Sequence, residues 1–180
     1  MLTLQIPGGE FWDEAKREFM YIKPCTLKLE HSLVSISKWE SKWCISFFES
    51  EKTNEQILDY IKCMTLNKDV DQNVYNALTP QQASEINNYI SAPMTATTIA
   101  KDEKASKGSH GFMTSELIYY YMISYNIPVE FEKWHINRLI TLIRVCSEEN
   151  KPKKKSNPKD LARRYREINN ARLAKYNTKG

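Results

Sequence analysis

Leu2, Leu4 and Ile6 alternate with Thr3 and Gln5 at the start of the chain, the period-two pattern of a strand with one face covered. Pro7-Gly8-Gly9 ends that pattern, since this composition favours turns. Residues 17–23 and 26–30 read as two further short strands, with Pro24-Cys25 as the turn between them. Residues 1–31 are therefore expected to form a small antiparallel sheet. From Ser32 the period changes. Leu33, Ile36, Trp39, Trp43 and Phe47 recur at steps of three and four, which places them on one face of a helix capped by Ser32. Thr53-Asn-Glu-Gln56 has the spacing of a capping box and opens a helix expected to bury Ile57, Leu58, Ile61 and Met64. Thr79-Pro80 is a cap followed by a first-turn proline, with Ile86, Tyr89 and Ile90 as the apolar side of the next helix.

Ala92-Pro93 breaks that helix, 94–100 reads as extended, and the polar Gly/Ser-containing run 101–111 reads as an exposed loop. The most apolar stretch follows. Thr114 caps a helix carrying Leu117, Ile118, Tyr120, Tyr121, Met122 and Tyr125, and Asn126-Ile127-Pro128 interrupts it. A second helix is expected from about Pro128 to Cys146, with Phe131, Trp134, His135, Leu139, Leu142, Ile143 and Cys146 inward. The short interruption suggests that these two helices pack as a hairpin at the heart of the core. The fold class that results is α+β and mostly helical. A globular domain over 1–149 comprises the sheet of 1–31 and a helical body over 32–149. A basic linker follows at 150–157, then a basic C-terminal helix or arm over 158–180. The arm's stripe of Leu161, Tyr165 and Ile168, with a weaker Leu173, is too thin for a core element. It fits a helix that docks on a partner or folds on binding.

Charge sharpens the division. Residues 151–180 hold eleven Lys and Arg against Asp160 and Glu167, a net of +9, in a chain of net +4, so residues 1–150 stand at −5. A basic appendage on a mildly acidic body meets a polyanion or an acidic partner, or stays solvated. The 180 residues suffice for one domain plus an extension. With five Gly the chain is a poor candidate for a turn-rich barrel or sandwich. No run approaches the roughly 18–20 apolar residues that span a bilayer, and the first ten residues lack the basic and apolar regions of a signal peptide. No membrane contact is expected. Cys25, Cys44, Cys63 and Cys146 are widely spaced and form no CxxC pair. Together with the missing export signal, this points to reduced thiols in a cytoplasm.

Sites of chemistry are sparse. The sequence has no Walker A loop, GxGxxG, HExxH or GxSxG. Glu132 and His135 share the Glu-x-x-His spacing of di-iron bundles, but such sites need the pair twice, and the facing helix offers only Glu116. His135 is read as a core-edge histidine and Glu132 as solvated. Cys44 and Cys146 are read as core filler; a helix C-terminus does not activate Cys146. Glu30 and His31 would point to opposite faces of a strand and make no dyad. Neither a catalytic residue, a cofactor nor a metal is expected. Trp39 and Trp43, four apart, serve as a core stripe or as an aromatic anchor for a partner. Arg163, Arg164, Tyr165 and Arg166 are the arm's candidate partner-binding residues, with Trp39 and Trp43 after them. A nucleic-acid contact by the arm is the less favoured reading, because no aromatic-rich RNA motif or zinc finger accompanies it.

Three segments carry a resemblance. They are 29–43 (LEHSLVSISKWESKW), 115–144 (SELIYYYMISYNIPVEFEKWHINRLITLIR) and 169–180 (NNARLAKYNTKG). Together they resemble proteins of tailed bacteriophages identified as tail assembly chaperones, over most of the chain. The resemblance implies a non-catalytic helper in the cytoplasm of the infected bacterium. Such a protein would keep the helical tape measure protein soluble until tail tube protein polymerises around it. The resemblance also implies a longer form made by ribosomal frameshift, for which Lys153-Lys-Lys155 is a place where an A-rich slippery run could lie; a gene without such a heptamer there would remove the idea. A homo-oligomer is a separate expectation for this chain. Two alternatives remain: a structural virion connector or minor tail protein, and a nucleic-acid-binding protein using the arm.

Overall fold

The computed structural model describes residues 1–13, 17–97 and 113–150, with 162, 163, 165–167, 169 and 170 of the arm. The chain divides into two compact units, Met1–Cys146 and Ser147–Gly180. The expected loop 101–111, nearly all of the linker 150–157 and Arg164 of the arm lie outside the described residues.

The fold is α+β and mostly helical, with small antiparallel ladders at the N-terminus. Strand β1 (Leu2–Ile6) pairs with β4 (Cys25–Leu29), and β2 (Gly9–Asp13) pairs with β3 (Glu18–Ile22). The β2–β3 hairpin is thus nested in sequence between the strands of the outer pair. This revises the expected single sheet: Gly8-Gly9 ends β1, but Gly9 also begins a strand that the turn-like composition conceals. Gly8 is needed there, because a Cβ would stand 2.5 Å from Pro24 Cδ and 3.1 Å from Ile22 O. In the β1–β4 ladder Leu4, Ile6, Leu27 and Leu29 point inward and are buried. Residues 64–67 run along the other edge of β4: Glu30 N donates to Met64 O at 2.9 Å and Leu66 N to Lys28 O at 2.8 Å.

Six helices follow. They are α1 (Leu33–Trp43), α2 (Asn54–Met64), α3 (Asn73–Asn76), α4 (Pro80–Ser91), α5 (Ser115–Ser124) and α6 (Ile136–Asn150), with a 3₁₀ turn at Val129–Lys133. The expected caps form. Ser32, Thr53, Thr79 and Thr114 each accept a backbone N–H of the first turn, and the first three close full capping boxes. α1 packs on α2 and α5, and α4 lies beside β1, where Gln82 Nε2 donates to Gln5 O at 3.0 Å.

Three expectations about the helices need correction. α1 stops at Trp43 because Cys44 takes the left-handed conformation (φ 53°), so Phe47 reaches the core from the following turn. In α2 the buried positions are Tyr60, Ile61 and Met64, while Ile57 is exposed; the Tyr60 hydroxyl has buried partners that turn the helix toward it. The expected 128–146 helix is a 3₁₀ turn and a separate α-helix, because Trp134 is extended and His135 forms a β-bridge with Ser32. α5 then takes α1, rather than α6, as its main helical neighbour.

Candidate binding surfaces and the buried polar network

The segment 30–35 crosses the centre of the body and carries its polar chemistry. His31 and His135 are both buried, and their rings meet edge-on with centroids 5.0 Å apart. His31 Nδ1 hydrogen-bonds the Tyr60 hydroxyl, which also meets Ser35 Oγ at 3.3 Å. His135 Nε2 faces Tyr89 O at 3.0 Å, and Ile136 N donates to His31 O at 2.7 Å. The Tyr89 hydroxyl donates to Glu30 Oε1 at 2.5 Å; the other Glu30 oxygen lies 2.9 Å from the Met1 amine. Burial, reinforced by the nearby His135, pushes the His31 pKa down to about 3, so the ring is neutral at ordinary pH. Burial lowers His135 as well, against the Tyr89 carbonyl bond that favours its charged form. It raises the Tyr60 phenol, against the Ser35 bond. This is a satisfied structural network: buried polar side-chain atoms without a partner are absent among the described residues.

A second polar knot fixes the approach to α5. The buried Glu40 of α1 accepts Phe47 N at 2.8 Å and Ser115 N at 2.7 Å. Ser46 Oγ donates to Met113 O at 2.7 Å, and Glu49 accepts Met113 N at 2.8 Å. Lys52 reaches Phe47 O at 2.5 Å and lies 4.3 Å from the Phe47 ring centroid; desolvation lowers its pKa, while Glu40 opposes the shift.

Of the candidate residues, Trp39 is wholly buried and its indole N–H donates to Gln56 O at 2.9 Å. It is a core residue and offers no surface to a partner. Trp43 is half-buried and donates to Asp59 at 2.9 Å, while Lys42 meets the other Asp59 oxygen at 2.5 Å. Arg163, Tyr165 and Arg166 are exposed on a helical stretch of the arm, where Arg163 Nε lies 3.7 Å from Glu167 Oε1. Glu132 is not simply solvated: it accepts the Tyr119 hydroxyl at 2.9 Å, and burial together with that bond raises the Tyr119 pKa. The cysteines are spread over strand, loop and helix without a disulfide, and Cys44 is exposed rather than core filler. Among the described residues no three His, Cys, Asp or Glu side chains are grouped to hold a metal ion, and no helix is long and apolar enough to cross a membrane.

Two exposed apolar surfaces stand out, and neither is anticipated by the sequence reading. On the β2–β3 hairpin, Phe19 and Tyr21 project from the same face, and Trp12 lies directly opposite Phe19. The Trp12 and Phe19 rings meet edge-on at 5.1 Å, yet Phe19 is 70% exposed and Tyr21 64%. Met20 and Ile22, on the other face, turn toward the body. The second surface is the outer side of α5, where Tyr120 and Ile123 are exposed. The signals were present: Phe-Met-Tyr-Ile over 19–22 is apolar on both strand faces, and α5 is apolar almost all round. Beside α6, Trp134 is sandwiched between Phe131 and Arg138, each 3.9 Å from its ring, at the rim of a shallow groove lined by Met94, Thr95 and Thr141.

Compared with protein-family models, curated proteins and solved structures, the chain matches none of them.

Proposed function

We propose that this chain is a non-catalytic tail assembly chaperone of a tailed bacteriophage. It acts in the cytoplasm of the infected bacterium to keep the tape measure protein soluble until tail tube protein assembles around it. The reading combines the resemblance of segments 29–43, 115–144 and 169–180 with one observation that carries it: the hairpin presents Trp12, Phe19 and Tyr21 together to solvent. Three large aromatic side chains held out on one face of a strand pair form a patch of the kind that marks a protein-binding surface. Aromatic rings suit a client whose apolar positions vary along its length, because they bury much area at small cost in side-chain freedom. The polar groups that could serve catalysis, His31, His135, Tyr60 and Tyr89, are turned inward and bonded to one another, to backbone or to the Glu30 carboxylate.

Co-expression tests the reading. A tape measure protein that is insoluble alone should move to the soluble fraction with this chain, and Phe19→Ser with Tyr21→Ser should reduce that rescue without lowering the chaperone's own melting temperature. Undiminished rescue by the double variant removes the hairpin from the account. No rescue by the unaltered chain removes the chaperone role and favours the virion-component reading.

A further inference from the structure

We propose that the outer face of α5 seats the basic arm of a second copy of this chain. The contact is head-to-tail between copies, and it stands whether or not the client is a tail protein.

α5 buries Ile118 and Met122 on one side. On the other, Tyr120 is 61% and Ile123 76% exposed. Glu116 lies one turn before Tyr120 and is also exposed, so Glu116, Tyr120 and Ile123 make a stripe at helical spacing. The Tyr119–Glu132 hydrogen bond holds the 3₁₀ turn beside α5. That turn adds exposed Val129 and Glu130. Over residues 115–133 there are three glutamates against one lysine, Lys133 at the end of the turn. The stripe on α5 is apolar at Tyr120 and Ile123 and acidic at Glu116.

The arm has the complementary chemistry. Leu161, Tyr165 and Ile168 follow one another at steps of four and three, and Arg163, Arg164 and Arg166 flank Tyr165. Tyr165 is exposed on helical backbone. Glu116 to Ile123 is seven residue steps, about 10 Å of helix axis at roughly 1.5 Å per residue, and Leu161 to Ile168 is the same seven steps along the sequence. Arginine over tyrosine adds cation–π attraction to the charge pairing. Since every copy carries one seat and one arm, the contact is heterologous and builds rings or open chains.

Sedimentation velocity on the full chain tests this. The chain should self-associate with rising concentration. Raising salt from about 0.1 M to about 1 M, which shortens the screening length from about 10 Å to about 3 Å, should weaken the association tenfold or more. Ile123→Glu damages only the seat, and the double variant Arg163→Glu/Arg166→Glu damages only the arm. Each alone should be monomeric with an unchanged melting curve; Tyr120→Ser replaces the first should it fail to fold. Mixed together, the two variants retain one intact seat and one intact arm, and should form a 1:1 pair that grows no further. A monomeric wild type, assembly that either variant leaves intact, or a mixture that does not pair would overturn the proposal.

Discussion

The burial of His31 ties stability directly to acidity. Its folded pKa of about 3 lies below the ordinary histidine value of 6.5, so on acidification the unfolded chain takes up a proton that the folded chain refuses. The stabilisation from a neutral His31 is complete above pH 6.5 and declines as pH falls from there toward 3. At pH 5 the loss from this residue is about 2 kcal/mol, from about 1.4 kcal/mol per pH unit of displacement. His135 shifts in the same direction and adds to it. Urea midpoints should fall between pH 7.5 and 5, and His31→Gln should flatten that slope; an equal slope in wild type and variant would contradict the assignment. Cys44 is a second residue-level test. It is exposed, and it ends α1 at φ 53°, a region that L-residues enter at a cost and glycine does not. Cys44→Gly should raise stability by about 0.5–1 kcal/mol, read as a higher urea midpoint. A drop would mean that the Cys44 side chain contributes packing beyond its 3.9 Å contact with Ser41 O.

Between elements, Glu40 is the side chain on which the α1–α5 junction turns. Its two oxygens hold the backbone N–H groups of Phe47 and Ser115, one in the turn after α1 and one in the first turn of α5. Glu40→Ala strands the buried Ser115 N–H and the half-buried Phe47 N–H and should cost about 2–4 kcal/mol. Glu40→Gln keeps one acceptor and should cost less, and chemical denaturation of both variants checks the order. Four helix starts were legible in the sequence because a cap is local: Ser32, Thr53, Thr79 and Thr114 each carry their signal within three residues of the helix they open. Helix ends were legible where a proline marks them, after α4 and α5; the other ends and the strand partners were not, because they depend on distant residues. The break at Trp134 is set by the bridge from His135 to Ser32, about a hundred positions earlier in sequence. β2 hides behind Gly8 and Gly9, whose role becomes visible only with Pro24 alongside. The candidate tryptophans show the same limit. Their helical spacing reads first as a core stripe and second as a surface anchor, and the fold places Trp39 inside while leaving Trp43 half-buried.

For the molecule as a whole, the account joins a body of net charge −5, bearing exposed apolar faces, to a terminal segment of net charge +9. The charge asymmetry was plain in the sequence. The apolar faces were not, since a strand or helix that is apolar on both sides does not announce which side stays uncovered. The most direct test of the central claim is affinity capture with the tagged full chain from infected or co-expressing bacteria, followed by mass spectrometry. The same chain ending at Asn150 and the Phe19→Ser/Tyr21→Ser variant would be run beside it, and purified particles assayed for the protein. The account predicts that the full chain recovers a long helical tape measure protein, that the hairpin variant and the truncation recover less, and that finished particles lack the protein. Stable incorporation into particles, or capture of nucleic acid that salt releases in place of a tail protein, would contradict it.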